Sequence, residues 1–453
     1  MEKDPTRRTF IPVATAFAIL PRHVLGSSAT SSPSDKLNIA AVGIGGMGRN
    51  YIAGCKSENI VATADIDDDL AAPVRAQYPQ AKSYRDYREM LDKEKSIDAV
   101  IIGTPDHSHA VIATAAIQLG KGVYCAKPMT RTIRECRAVM KAAEQAKVAT
   151  QMSVQSCASD EACSTEEWIQ AGAVGPVREV HVWTDRPVWP QAVTRPTETP
   201  AVPSSINWDL WLGPAPQRPY HPIYHPFNFR GWYDFGSGAL GDMGCHAFHV
   251  IVRALNLGYP TWVGADRTFN RIYAPQEKPE PVWTRSVVAK HPETFPTASI
   301  VTWDFPARAD KPPVRMTWYD GGLKPPRPPE MALTTPLGSD GILFVGEKGF
   351  LLSGFSGGPK LLSPGRQKEF TPPPKTLERS AGHYLEWIQA CKGGKTPNCH
   401  FGFGAQLTEI CLLGVAAQRT GQCLEYDSQA MRFTNNAEAN GLLDPPYRAG
   451  WSL

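Results

Sequence analysis

The sequence predicts an α/β protein, with a doubly wound parallel sheet in its N-terminal part and a largely antiparallel sheet in its later part. Three observations support this fold class. Apolar runs alternate with helix-length segments from Lys36 to about residue 155, and a glycine-rich turn separates the first apolar run from the first helix. After residue 155, short strand-like runs with proline-rich connections follow. A length of 453 residues suits two or three domains.

The first 34 residues are predicted to be a targeting segment and linker. Thr6-Arg7-Arg8-Thr9-Phe10 precedes the mildly apolar segment Ile11–Leu20, and the small-residue tract Gly26–Ser34 follows. This order resembles a twin-arginine export signal, and a basic disordered tail is the alternative. A working signal would place the protein in the periplasm or outside the cell, whereas a non-functional one would leave it in the cytoplasm.

The composition argues against several classes of protein. The formal net charge is +3, there is no arginine-rich run, and no nucleic-acid-binding module is recognisable, so a nucleic-acid partner is not expected. No apolar stretch reaches the length of a membrane span. The ten cysteines are scattered without a CxxC pair, which disfavours a zinc ribbon and favours buried thiols. In a periplasmic protein, Cys157 and Cys163 could pair.

The stretch Ala40–Asp65 has the pattern of a dinucleotide-binding turn. An apolar run, Leu37–Val42, leads into Gly43-Ile44-Gly45-Gly46-Met47-Gly48, and a helix-like segment follows. The first glycine would permit a tight turn, the second would let the backbone approach a pyrophosphate, and the last would allow close packing of helix on strand. Asp65 ends the next apolar run about 20 residues on, where a carboxylate pairs with a ribose 2′-OH and favours NAD over NADP. An ordinary βα turn is the alternative interpretation.

The following elements alternate as a doubly wound sheet requires. Strands are predicted at Ile60–Ala64, Ile97–Ile102, Gly122–Cys125 and Val148–Met152. Helices are predicted at Asp69–Gln77, Tyr84–Leu91, Ala110–Leu119 and Thr132–Ala146. Because ligands of such sheets bind beyond the carboxyl ends of the strands, the segments 103–109 and 125–130 should lie on one rim with the glycine turn.

This predicted rim carries candidate functional side chains. Lys127 could hydrogen-bond a hydroxyl or a cofactor ribose and stabilise an alkoxide as it forms; a solvated lysine before a turn-making proline is the alternative. His107 and His109 could contact cofactor or substrate, or they could only cap the helix that is predicted to begin near Ala110.

The later part of the chain mixes strands, helices and one long loop. Pro187–Phe229 is a loop rich in proline, tryptophan and histidine, which is typical of a functional segment or lid; packing around Trp208 and Trp211 is the alternative. Strands are predicted at Val177–Thr184, Ala298–Phe305, Val314–Tyr319, Gly341–Val345 and Gly349–Leu352. Glu166–Ala171 is predicted to be the end of a helix, before Gly172. Further helices are predicted at Gly238–Leu255, Ser380–Ala390 and Gly404–Thr420.

The helix predicted at Gly238–Leu255 carries a possible acid–base pair. Asp242 and His246 are four residues apart, so they share one helix face, and His249 lies close to the same face. A histidine near a carboxylate suits proton transfer at neutral pH. A merely structural pair is the alternative, and a metal site made of the three residues is a third interpretation.

Taken together, these motifs resemble the Gfo/Idh/MocA oxidoreductases, the family of glucose–fructose oxidoreductase and inositol dehydrogenase. The resemblance covers nearly the whole chain after about Lys36. The matching segments are Gly43–Gly48, Asp65, Thr104-Pro105-Asp106-His107-Ser108-His109, Lys127-Pro128, Asp242-x-x-x-His246 and Gly346-Glu347-Lys348-Gly349. The exported bacterial branch of the family is the most similar, through the twin-arginine start and the segments Trp208–Pro214 and Arg230–His246.

The resemblance implies a fold and a domain division. Residues 35–155 would form a Rossmann domain that binds NAD(P), and residues 156–453 would form a C-terminal α+β domain for substrate binding and oligomerisation. The open, mostly antiparallel sheet of that second domain commonly forms the oligomer interface, so a homo-oligomer, dimer or tetramer, is expected.

The resemblance also implies chemistry on a hydroxyl group of a sugar, cyclitol or glycoside, with NAD as cofactor and NADP less expected. His246 would be the acid/base, Asp242 its partner, and Lys127 would stabilise the oxyanion; no metal is expected. The residues implied to bind cofactor are Gly43, Ile44, Gly45, Gly46, Met47, Gly48, Asp65, Thr104, Pro105, His107, His109 and Lys127.

The sequence departs from the family pattern at three places. Ala126 stands where the family usually has glutamate, Ser153–Cys157 stands where this branch tends to have a Gly-Asn-Gln-Gly-His-like run, and His249 stands where an aspartate is frequent. Two alternatives therefore stay open. One is an NAD-dependent glycoside hydrolase that works by oxidation, elimination, hydration and reduction, and the other is a catalytically weak nucleotide- or sugar-binding relative.

Overall fold

A six-stranded parallel sheet forms the N-terminal part of the fold. The structure is a computed structural model that describes residues 35–273, 286–289, 291–309, 311–332 and 334–453. The predicted export segment, residues 1–34, lies outside them. The strands are β1 (Asn38–Val42), β2 (Asn59–Ala64), β3 (Lys82–Tyr84), β4 (Ala99–Ile102), β5 (Gly122–Cys125) and β6 (Thr150–Met152), in the order β3-β2-β1-β4-β5-β6.

Helices connect these strands and cover both faces of the sheet. They are α1 (Gly48–Gly54), α2 (Asp68–Gln77), α3 (Tyr87–Lys93), α4 (Asp106–Gln118) and α5 (Ile133–Ala146). Alternate residues of β4 enter two different apolar clusters, Val100 and Ile102 on one side and Ala99 and Ile101 on the other. A parallel sheet buried on both faces needs such continuous apolar strands. The strand order reverses between β1 and β4, which makes the crevice beyond their carboxyl ends the expected ligand site.

The later part of the described chain forms a nine-stranded, mostly antiparallel sheet in which β7 and β12 are parallel. The order is β15-β14-β13-β7-β12-β11-β8-β16-β17. Its strands are β7 (Val177–Trp183), β8 (Trp262–Arg267), β11 (Ser299–Phe305), β12 (Val314–Tyr319), β13 (Gly341–Gly346), β14 (Gly349–Gly354), β15 (Gly357–Leu361), β16 (Leu424–Asp427) and β17 (Arg432–Phe433), and β9 (Arg271–Tyr273) pairs separately with β10 (Ser286–Val288).

One face of this sheet is packed against helices. The remaining helices are α6 (Asp160–Gln170), α7 (Trp208–Leu212), α8 (Gly238–Leu255), α9 (Pro364–Glu369), α10 (His383–Cys391), α11 (Phe401–Thr420) and α12 (Ala437–Asn440). Trp303 of β11 is buried, its indole N–H donates to the carbonyl of Ile410 at 3.1 Å, and its ring meets Phe248 of α8 edge-on. At Gly244, a Cβ would come within 2.7 Å of the Cys411 sulfur, so α8 and α11 approach closely there. This packing fixes α8 beside the Rossmann rim.

The structure confirms the predicted fold class and corrects several elements. The predicted helix Tyr84–Leu91 is wrong at its start, because Tyr84 ends β3 and α3 begins at Tyr87 after the N-cap Asp86. Helix α4 begins at Asp106 rather than near Ala110, whereas α6 ends at Gln170 with the C-cap Ala171, where the sequence predicts a helix end. The predicted loop Pro187–Phe229 contains α7. The predicted division at residue 155 stays a prediction. Within the described residues, every helix is too short or too polar to cross a membrane.

Candidate active site

A cavity of about 600 Å³ lies where the carboxyl ends of the Rossmann strands meet α8 and the long loop. It is lined by groups from both parts of the fold, from Val42 to Trp451, so the topology brings together residues that are far apart in the sequence. The predicted site residues among its lining are Gly43, Gly45, Gly46, Met47, Asp65, Thr104, Pro105, Lys127, Asp242 and His246. The other predicted residues, Ile44, Gly48, His107 and His109, lie behind this lining.

Gly43 and Gly48 in the turn between β1 and α1 have the close surroundings that the sequence predicts, whereas a Cβ on Gly45 would come within 2.6 Å of the Leu70 Cβ. Gly43 has φ +77°, and a Cβ there would come within 2.7 Å of Thr104. A Cβ on Gly48 would lie 1.9 Å from the carbonyl oxygen of Gly43, so helix and strand pack at the closest possible distance. By contrast, a Cβ on Gly46 would meet no atom within 4 Å. The turn is therefore closed towards the protein and open towards the cavity.

Asp65 orders this turn. One of its carboxylate oxygens accepts the backbone N–H groups of Ile44 and Gly45 at 2.7 and 3.0 Å, and the other accepts the N–H of Asp67 at 3.0 Å. Burial raises the pKa of Asp65, and the three hydrogen bonds oppose that shift. The same residue lines the cavity, and its predicted contact with a ribose stays a prediction.

The ring nitrogens of His107 and His109 all face backbone carbonyl oxygens. The ring nitrogens of His107 lie 2.8 Å from the carbonyl of Trp211 and 3.2 Å from that of Phe235, and those of His109 lie 2.9 Å from the carbonyl of Pro128 and 2.8 Å from that of Thr104. Both rings are fully buried, and burial lowers the pKa of His107 to about 4. Their placement does not support cofactor contact. They do not cap α4 either, because its N-cap residue is Pro105.

Lys127 and Asp242 form an ion pair at the centre of the lining. The Lys127 Nζ lies 2.7 Å from Asp242 Oδ1 and also donates to the Asp242 backbone carbonyl, and the two side chains are 14% and 13% exposed. Arg230 donates to the same carboxylate oxygen at 3.2 Å. Burial acts to raise the pKa of Asp242, but the charges of Lys127 and Arg230 lower it below its usual value. The predicted pairing of Asp242 with His246 is therefore corrected, because the Asp242 carboxylate pairs with Lys127 and Arg230 instead.

His246 faces the cavity one turn along α8. Within the described residues, its imidazole has no hydrogen-bonding partner, and the side chain is half-buried. Burial, assisted by the charge of Lys127, lowers the pKa of His246 to about 3. The ring is therefore neutral at physiological pH and able to accept a proton.

The metal interpretation of this helix does not fit the geometry. His249 is fully buried outside the cavity lining, and its Nε2 lies 3.1 Å from the carbonyl of Phe355. Asp242 is occupied by two cations. No group of three potential metal ligands converges anywhere in the described part of the chain.

Sequence reasoning missed several lining residues. Tyr51 of α1 and Ser153 share a hydrogen bond of 3.0 Å, and Ser153 also accepts the backbone N–H of Lys127 at 3.1 Å. This contact fixes the backbone from which the Lys127 side chain extends. Arg230 belonged to a matched segment but was assigned no role, and Arg186 gave no signal, since a single arginine after a strand has no distinguishing pattern. Ala126 lines the cavity as part of an apolar cluster.

Comparison with known families matches both parts of the fold. Residues 37–154 match the model described as the oxidoreductase family, NAD-binding Rossmann fold, and residues 183–259 match the C-terminal α/β domain of the same family. Both matched segments belong to the Gfo/Idh/MocA oxidoreductase family. The predicted family resemblance is thereby confirmed, while the predicted export signal stays a prediction.

Curated relatives that the chain matches include inositol 2-dehydrogenases and a levoglucosan dehydrogenase. An inositol 2-dehydrogenase of Serratia proteamaculans is 34% identical over 23% of this chain and 33% of its own length. A levoglucosan dehydrogenase of Pseudarthrobacter phenanthrenivorans is 26% identical over 44% of this chain and 45% of its own. The alignments thus span less than half of these curated relatives.

Solved structures show the same fold at low sequence identity. The WlbA dehydrogenase from Bordetella pertussis, in complex with NADH and UDP-GlcNAcA, has a TM-score of 0.56 at 16% identity and covers 86% of this chain and 99% of its own. A levoglucosan dehydrogenase in complex with NADH and L-sorbose has a TM-score of 0.53 at 17% identity, covering 86% and 99%.

Proposed function

We propose that this protein is an NAD-dependent oxidoreductase that acts on a hydroxyl group of a sugar, cyclitol or glycoside. The observation that most supports this proposal is that His246, a neutral histidine, and Lys127, a lysine fixed by its ion pair with Asp242, line the same cavity as the glycine turn. Oxidation of a secondary alcohol needs a proton acceptor and a cation near the alcohol oxygen, beside a hydride acceptor. The similar dehydrogenases support the substrate class.

The residues of the glycine turn fit a dinucleotide. The open side of Gly46 offers space for a close approach of phosphate groups to backbone, and Asp65 offers a carboxylate for a ribose hydroxyl. Thr104 and Pro105 border the same space. Bound NAD would supply the hydride acceptor of the reaction. A 2′-phosphate would meet the negative charge of Asp65, which favours NAD over NADP.

His246 is the proposed general base. Its ring is neutral at pH 7 and has no hydrogen-bonding partner in the described structure, so a ring nitrogen can accept the proton of a substrate hydroxyl directly. In the reverse direction the protonated ring returns the proton. The low pKa makes His246 a weak base, and its function therefore depends on close positioning.

Lys127 is the proposed stabiliser of the substrate oxygen. An ammonium group has three N–H donors, and Asp242 takes two of them with its carboxylate and its backbone carbonyl. The third N–H can be donated to the oxygen as negative charge develops on it. Asp242 therefore positions Lys127 rather than His246.

The test is NADH formation by purified protein supplied with NAD and a panel that includes myo-inositol and levoglucosan. We expect the H246A variant to lose about 10²- to 10⁴-fold in kcat/KM while its affinity for NAD is unchanged. H181Q, which alters a histidine on β7 outside the cavity lining, is the matched control and should retain activity. Unchanged turnover in H246A would contradict the catalytic role.

The same assay separates the alternative functions. A glycoside hydrolase of this type would cleave an aryl glycoside without net NADH formation, and a binding protein would do neither. The oxidoreductase is favoured because Cys157, at the position where a histidine would be expected for the hydrolytic branch, is fully buried and outside the cavity lining.

A further inference from the structure

Arg186 is a cation in the cavity lining without a partner among the described residues. It follows β7 at the start of the long loop and is half-buried. Its backbone is fixed on both sides: its N–H donates to the Thr184 hydroxyl at 3.3 Å, and its carbonyl accepts the N–H of Gly321 at 2.6 Å. The neighbouring carboxylate of Asp185 is occupied by Lys324 at 2.7 Å. No hydrogen bond or ion pair of the guanidinium is found in the part of the chain that the structure describes.

The charged groups of the lining that lie towards the glycine turn all have partners within the protein. Arg85 pairs with Asp68, and Asp86 pairs with Arg88 at 2.6 Å. Asp65 accepts the N–H groups of the glycine turn. Asp106 accepts the Ser237 hydroxyl at 2.8 Å, and burial raises its pKa towards the neutral form.

The end of the cavity near α8 and the long loop is cationic. Lys127 and Arg230 share the single carboxylate of Asp242, and Arg186 adds a third cation without adding a carboxylate. Aromatic rings of the loop lie beside the Arg230 guanidinium, Phe227 at 4.5 Å, Phe229 at 4.6 Å and Trp189 at 5.8 Å, and add no negative charge. A positive, partly apolar pocket end favours an anionic group over a neutral hydroxyl.

We propose that the substrate is a sugar that carries a carboxylate, and that Arg186 binds this carboxylate. A guanidinium presents a planar fork of N–H donors that matches a carboxylate with two parallel hydrogen bonds, and a half-buried charge gains most from such a partner. The inference rests on the proposed function, because it names the substrate class of the same site. Arg186 is a specificity residue in this account, and it touches a part of the substrate that does not react.

The experiment compares matched sugars by titration calorimetry on protein saturated with NADH. The pairs are D-glucuronate with D-glucose and D-galacturonate with D-galactose, and D-glucose 6-phosphate distinguishes a carboxylate from another anion. We expect each acid to bind about 10- to 100-fold more tightly than its neutral partner. In R186Q this preference should fall to within about twofold, with the neutral sugars unaffected, and R186K should retain part of it. R178Q, on an exposed arginine of β7, is the matched control and should behave as wild type.

Three results would overturn the inference. One is that no acid binds more tightly than its neutral partner, and another is that R186Q retains the preference. The third is tighter binding of the phosphate ester than of the acids, which would reject the carboxylate. Failure of the proposed function would look different: the acids would bind and R186Q would abolish the preference, but no NADH would form in the turnover assay.

Discussion

Asp242 lies on the predicted helix, but its partner is Lys127 and not the expected His246. Its spacing from His246 is visible in the sequence, because a helix brings residues four apart to one face. Its real partner, Lys127, lies 115 positions away on the Rossmann rim, and this pairing depends on how two separately predicted parts of the fold meet. Periodicity could therefore predict the helix face but not the ion pair.

Removing the Asp242 charge should affect both stability and activity. D242N leaves Lys127 and Arg230 without their carboxylate, so we expect a loss of roughly 3–5 kcal/mol in the free energy of unfolding. It should also lower kcat/KM about 10- to 100-fold, because Lys127 loses its position. Urea unfolding and initial rates measure the two effects. D304N, at an exposed pair with Arg315, should cost less than about 1 kcal/mol, and an equal loss in both variants would contradict the account.

The pH dependence should reveal the low pKa of His246. Its folded pKa of about 3 lies below the ordinary value of 6.5, so the ring stays neutral as the pH falls and the acidic limb of kcat/KM should lie below about pH 5. The unfolded chain protonates this residue below pH 6.5 while the folded chain does not. The folded state therefore loses stability as the pH falls from 6.5 towards 3, and H246Q should reduce that loss. An acidic limb of kcat/KM near pH 6.5 in the wild type would contradict this account if the residual activity of H246Q no longer showed that limb.

At the scale of elements, the strongly patterned ones were predicted best. Helix α8 and strand β12 have the predicted bounds, since each is a long apolar or alternating segment with clear ends. The start of α4 was missed because the polar run Asp106–His109 suggests a loop. In the fold the histidines of that run are buried against backbone carbonyls, a tertiary effect that local pattern does not contain.

The glycine turn provides a matched pair of substitutions. G48A places a Cβ 1.9 Å from the Gly43 carbonyl, so we expect a loss of about 1–3 kcal/mol in unfolding free energy. G46A places its Cβ in open space, so it should fold with wild-type stability but bind NAD about tenfold more weakly by narrowing the approach of the pyrophosphate. Denaturant melts and NAD titration measure these effects. If G46A and wild type bound NAD with equal affinity, the proposal that this turn contacts the pyrophosphate would be contradicted.

At the scale of the whole molecule, the described fold follows the predicted plan of a parallel and a mostly antiparallel sheet. Four strands of the second sheet, β8, β15, β16 and β17, were not predicted, because short strands with polar or glycine-rich sequences give weak patterns. The cavity itself could not be predicted in detail, since its shape depends on the path of the loop between β7 and α8. Its existence on the strand rim could be, because topology determines it.

The expected homo-oligomer is a prediction that the second sheet makes testable. Alternate residues of β11 are half-buried, and Ile300 packs with Trp183, Tyr319 and Leu343 in an apolar cluster separate from the main core. We expect light scattering on the eluting protein to give the mass of a dimer or tetramer, and I300E to shift it towards the monomer. A monomeric wild type would contradict the expectation. An I300E variant that keeps the wild-type mass would place the interface elsewhere.

The central claim, that the glycine-turn cavity is an NAD site joined to a catalytic centre, is tested most directly by the nucleotide content and affinity of the folded protein. Denaturing release followed by mass spectrometry, with NAD titration of any empty protein, should give about one NAD or NADH per chain. D65A should bind NAD more weakly and discriminate less against NADP. Wild-type protein that neither releases nor binds NAD, or a D65A variant with unchanged preference, would contradict the account.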